Sequence, residues 1–132
     1  MLFRSTTGLT GGSATSQYSI NTDGGFVTLS PNVTVSTANV ATTVDNVFAN
    51  TYSSAEYTIT STVSGTNIRQ IAKVLVVTDG TSAYVTPYGI TSTAGNTLAT
   101  FSGNVQSGNV NLNVSTTNAN TIFRIKKDYM AI

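Results

Sequence analysis

Residues 109–116 read NVNLNVST. Val110, Leu112 and Val114 alternate with Asn109, Asn111 and Asn113. A period of two puts the aliphatic side chains on one face of an extended strand and the amides on the other. QSGN before the stretch and TNAN after it are turn sequences. The segment is therefore a half-buried strand, and its neighbours repeat the pattern. N-terminal to it, TLATFSGNV (97–105) reads as a strand anchored by Leu98 and Phe101. C-terminal to it, TIFRIKKDYMAI (121–132) sets Phe123 and Ile125 against Arg124 and Lys126.

Further upstream, AKVLVVTDGTSAYVTPYGI (72–90) reads as a hairpin. The unbroken run Val74–Val77 suits a central strand covered on both faces, or a short buried helix over 68–75. The valine content and the Asp79-Gly80 turn favour the strand, because glycine accepts a positive φ. Pro87 has no N–H to donate, so the returning strand belongs at a sheet edge or a bulge. SAEYTITSTV (54–63) alternates Ala55, Tyr57, Ile59 and Val63 against Glu56, Thr58 and Thr60. VDNVFANTY (44–52) enters the domain with Val44, Val47 and Phe48 as anchors. These pieces predict an all-β fold: an antiparallel β-sandwich, or jelly-roll-like arrangement, of about seven strands over residues 43–132.

Residues 1–42 differ. STTGLTGGSATSQ (5–17) is low in complexity, and GGFVTLSPNVTVSTAN (24–39) offers only short strands. The expectation is an extended N-terminal arm that docks on a neighbour through Phe3, Leu9, Phe26 and Leu29.

Composition narrows the chemistry. Of 132 residues only 8% are charged, against about 25% in an ordinary globular protein. The net charge of +1 supplies no strong field, so neither nucleic acid nor an anionic membrane is expected as a partner. Cysteine and histidine are absent, which removes the usual metal sites, disulfides and His-dependent nucleophiles. The start, MLFRSTTGLTGGSATS, lacks a continuous apolar stretch and predicts no signal peptide.

The acids Asp23, Asp45, Glu56, Asp79 and Asp128 lie far apart in sequence and read as surface or turn residues. Paired carboxylates in a cleft would be needed for glycosidase chemistry. Arg124, Lys126 and Lys127 could meet a phosphate or an acidic partner, but read first as guards that keep a terminal strand from pairing edge to edge. Tyr84 and Tyr88 share a strand face and, with Asn111 and Asn113, are candidate glycan contacts, since rings stack on sugars and amides read hydroxyls; the competing roles are core filling for the tyrosines and a solvated or self-stacking face for the asparagines. The expectations are no catalytic residues, no metal, no cofactor and no enzymatic activity.

Val44-Asp45, Tyr52, Ser54-Ala55, Tyr57, Asp79-Gly80-Thr81, Ala83, Tyr88-Gly89, Leu98 to Phe101, Ser107 to Val110 and Ala119-Asn120 follow a familiar order. With that spacing, Val44 to the end resembles a β-sandwich module repeated in virion structural proteins of tailed phages, notably marine cyanophages. It departs at Thr117, where the module often carries proline. The resemblance implies a bacteriophage virion structural protein and a virion location. Within that class the first expectation is a capsid decoration or cement protein, or a small tail or neck component. It would contact major capsid or tail proteins and form a homo-oligomer, with a trimer among the options. The alternative is a carbohydrate-binding, receptor-recognition module of a tail fibre.

Overall fold

The computed structural model describes residues 19–22, 25–29 and 32–132. These form ten strands: β1 (Ser19–Thr22), β2 (Gly25–Leu29), β3 (Val33–Val35), β4 (Thr42–Phe48), β5 (Tyr52–Val63), β6 (Arg69–Thr78), β7 (Ala83–Ser92), β8 (Ala99–Gln106), β9 (Asn109–Thr116) and β10 (Thr121–Ala131). From Thr42 onward there are seven, and no helix occurs among the described residues. All pairing is antiparallel. The large sheet runs β1-β2-β10-β5-β6-β7, with β3 also on β10, and the small sheet runs β4-β9-β8. The antiparallel sandwich read from the sequence is the observed fold.

The period-two residues form the core. Ala55, Tyr57 and Ile59 of β5, Ala72, Val74 and Val76 of β6, and Phe123 and Ile125 of β10 point inward from the large sheet. Val110, Leu112 and Val114 of β9 meet them from the small sheet. Each fully buried side chain of this kind contributes roughly 1.5–3 kcal/mol. Gln70 is the polar exception. Its carbonyl accepts the Leu98 N–H at 2.6 Å and its amide donates to the Ala99 carbonyl at 3.1 Å. It thus pins β6 to the start of β8 across the core. The sheets approach closely at Gly103, where a Cβ would stand 2.6 Å from Val85 Cγ2.

Two turns behave as their residues require. Ser107 and Gly108 both have positive φ, a two-residue hairpin whose twist suits the flanking strands. The Asp79–Ser82 loop is closed by the Asp79 carboxylate, which accepts from the Thr81 and Ser82 N–H groups. Pro87 lies on β7, the edge strand, as expected.

Three sequence expectations are corrected. The Val74–Val77 run is a strand, as its valines favour, with no helix over 68–75, but it is not covered on both faces: β6 alternates, and Leu75 and Val77 are exposed. Phe48 does not anchor the core, being 63% exposed at the end of β4. Finally, β10 is no edge strand. It lies between β5 and the β2–β3 segment, so its cations guard nothing.

Of the residues expected in an arm, Val35 is buried in the core, and β2 and β3 pair with β10 of their own chain. Phe3 and Leu9 lie outside the described residues. For Phe26 and Leu29 only the backbone is described, opposite Tyr129 and Lys126 respectively.

Candidate functional site

The outward residues of the large sheet fall into rows set by register. Met130, Ser54, Val77 and Tyr84 make one row, and Asp128, Glu56, Leu75 and Thr86 the next. Lys126, Thr58, Lys73 and Tyr88 follow, then Arg124, Thr60, Ile71 and Thr91. Alternation forces these side chains out, because their neighbours fill the core. Ile71, Leu75, Val77, Tyr84, Tyr88 and Met130 are each between 42% and 57% exposed. So many apolar groups on one face mark a contact surface. A shallow depression of about 500 Å³ lies at the apolar end, floored by Leu75 and Val77 and edged by Tyr84, Met130, Glu56 and Asp128.

Polar contacts orient both candidate tyrosines. The Tyr88 hydroxyl donates to Glu56 Oε1 at 3.1 Å, and Lys73 Nζ meets the same oxygen at 3.1 Å. The Tyr84 hydroxyl donates to Asp79 Oδ2 at 3.2 Å. Lys73, and after it Tyr88, hold the Glu56 carboxyl below its ordinary range by hydrogen bonding to the charged form. Desolvation, and then the hydrogen bond to Glu56, push the Tyr88 phenol up.

Register sets Asp128 directly across from Glu56. Their Cβ atoms are then about 5 Å apart, close enough for two carboxyls to act together. Glycoside hydrolysis needs one of such a pair to hold a proton. Glu56 is driven the other way by its hydrogen bond to Lys73.

Asn111 and Asn113 lie elsewhere, on the outward face of the small sheet, so the four candidate glycan contacts do not converge. Tyr84 and Tyr88 stand together on one side of the sandwich and the two asparagines on the opposite side. There Asn113 accepts from Thr43 at 2.7 Å and donates to Asn104 at 3.0 Å. Asn111 is 7% exposed, flanked in register by Asn46 and Asn104. The described part of this face carries no charged group.

A second cluster, between the sheets, escaped the sequence reading. A register shift on β4 between Thr43 and Asp45 turns Asp45 inward. Its carboxylate pairs with Lys127 and accepts from the Tyr57 hydroxyl at 2.7 Å and from the Tyr129 hydroxyl. Asp45 and Lys127 side chains are 8% and 14% exposed. The Tyr52 ring stacks at 41° on Tyr129, centroids 5.0 Å apart. Burial pushes the Tyr57 and Tyr129 phenols far up, with Asp45 adding to both and Tyr57 adding to Tyr129. This corrects the surface role expected for Asp45 and the guard role expected for Lys127. The cluster is closed off and structural. Among the described residues, no three His, Cys, Asp or Glu gather as a metal site.

Two antiparallel sheets define an all-β sandwich with an apolar, tyrosine-bearing outer face. No family model matches the chain, and no curated protein does. The fold is similar to part of the tailspike protein of Acinetobacter phage vB_ApiP_P1, at 14% identity and a TM-score of 0.51 over 77% of this chain. It is also similar to part of the tailspike protein of Acinetobacter baumannii bacteriophage Fri1, described as a capsular polysaccharide depolymerase. There the identity is 14% and the TM-score 0.55, over 88% of this chain. The chain spans 22% and 20% of those two chains. The marine-cyanophage part of the resemblance finds no counterpart among these neighbours. The expectation of no enzymatic activity is also corrected. This fold occurs within a protein described as a depolymerase, so a module poor in catalytic side chains says nothing against an enzyme around it.

Proposed function

We propose that the chain is a β-sandwich module of a tailed-phage spike or fibre, carried on the virion, that recognises surface glycans of the host. The observation that carries this is the exposed face bearing Tyr84 and Tyr88, on a sandwich whose fold recurs in phage tailspikes. The likeness favours this tail reading over capsid decoration, the first expectation. In a spike or fibre the module works as a homo-oligomer, a trimer, beside other tail proteins. The apolar end of the face, around Leu75, Val77 and Met130, suits cover by a neighbouring copy.

Two measurements test the reading. Light scattering on the purified chain should give three times its 13.7 kDa mass. Fluorescently labelled chain should attach to encapsulated host cells and not to cells stripped of capsule. A monomer that binds both cell types alike would overturn it.

A further inference from the structure

The described lysines and arginines are Arg69, Lys73, Arg124, Lys126 and Lys127. Lys127 is spent on Asp45 inside the sandwich. The other four all project from the same outward face of the large sheet. In a chain with so few charges, that concentration asks for an explanation.

Their arrangement has a shape. Thr58, Thr60 and Thr62 of β5 run down the middle of the face. On one side, β10 sets Lys126 beside Thr58 and Arg124 beside Thr60. On the other, β6 sets Lys73 beside Thr58 and Arg69 beside Thr62. Strand spacing puts the two cation columns about 10 Å apart, and the threonine line is about 13 Å long. The result is a track floored with hydroxyls and bordered by cations. Glu56 and Asp128 close it at one end, and Tyr88 stands at its rim beside Lys73. The acids sit in one row only; in the rows beyond it Lys126 faces Lys73, Arg124 faces Ile71 and Ile122 faces Arg69 across the threonines.

We propose that this track binds a short stretch of a linear, carboxylate-bearing polysaccharide lying along β5. Lys126, Arg124 and Arg69 take its carboxylates as charge-assisted hydrogen bonds, and the threonines take its hydroxyls. Tyr88 packs its ring against a sugar. The chemistry favours a glycan over an acidic protein, because a protein interface centres on a desolvated apolar pocket, and here Ile71 and Ile122 stand on opposite borders with the threonine line between them. The glycan is therefore anionic, and its path is set by Thr58–Thr62 and not by the asparagines of the small sheet. The inference rests on the glycan-recognition reading above.

The test is calorimetric titration of the full chain at low ionic strength. Polysialic acid, hyaluronan and alginate oligosaccharides serve as anionic probes and maltoheptaose as the neutral one. At least one anionic glycan should bind, with affinity falling as salt screens the cations. Arg124→Ser with Lys126→Ser should weaken that binding by about 100-fold, roughly tenfold per lost charge-assisted contact. Both side chains are exposed, so the melting temperature of the variant should stay that of the parent. Binding of maltoheptaose alone would overturn the anionic assignment and leave glycan recognition standing. No binding to any of the four would overturn the track, while oligomer mass and cell attachment decide the broader reading separately. Equally tight binding of a single-stranded DNA of matched charge would reduce the track to a generic polyanion surface and sink the proposal.

Discussion

Asp45→Ala is the sharpest test of how this sandwich is built. The carboxylate is 8% exposed and holds Lys127, Tyr57 and Tyr129 together between the sheets. Removing it leaves an ammonium 14% exposed with its counter-charge gone. Breaking a buried pair from one side typically costs about 3–5 kcal/mol. Lys127 can slide its head toward water along its flexible stem, which favours the lower part of that range. The two phenols lose charge-assisted bonds but keep each other at 3.5 Å. A loss of about 3–4 kcal/mol follows, or roughly 12–16 °C in melting temperature for a domain of this size. Replacing both partners, Asp45→Leu with Lys127→Met, removes the stranded charge and should recover more than half of that. Urea unfolding followed by circular dichroism gives all three stabilities. If Asp45→Ala loses less than about 1 kcal/mol, or the double variant is no better than the single, the buried pair does not organise the core as argued.

Other expectations come from the same geometry. Tyr57 and Tyr129 have phenols raised by burial, so the folded state favours their neutral form. Their contribution to stability is complete below the ordinary tyrosine range near 10 and declines as pH climbs above it. Absorbance at 295 nm should show these two phenols ionising only as the protein unfolds in alkali. Gly103→Ala places a methyl 2.6 Å from Val85 and should destabilise by about 1–3 kcal/mol, with Val85→Ala relieving part of it in a thermal-melt cycle. Gln70→Leu strips the Leu98 N–H and the Ala99 carbonyl of their buried partner and should cost about 2 kcal/mol in urea unfolding.

The strands that alternate cleanly are legible in the sequence. NVNLNVST and SAEYTITSTV form β9 and β5 with the predicted faces inward, because period two and turn chemistry are local properties. What failed depended on neighbours. The apolar run Val74–Val77 looks doubly covered, yet nothing in the sequence says whether a second layer exists outside β6. Instead, half the run became exposed surface. Phe48 looks like an anchor until the β4 register shift redirects Asp45 and carries Phe48 outward. A single-residue slip of this kind leaves little trace in composition. The parity of Tyr84 and Tyr88 sets them on one face, but nothing local to Asn111 and Asn113 reveals that β9 and β7 belong to different sheets. The cation track was hidden for the same reason. Arg69 and Lys73 are more than fifty residues from Arg124 and Lys126, and only the pairing of β5 with both β6 and β10 brings them alongside one line of threonines.

The central placement of β10 has a kinetic side. On the ribosome, β2, β3 and β5 emerge long before Thr121–Ala131, the segment against which all three hydrogen-bond. Until that segment has been made, the large sheet has a gap through its middle and Asp45 has no cation to meet. Completion of the fold is therefore a late event, after synthesis has passed Ala131. The incomplete sheet presents bare strand edges in the meantime, which makes slow elongation through this stretch a hazard for aggregation.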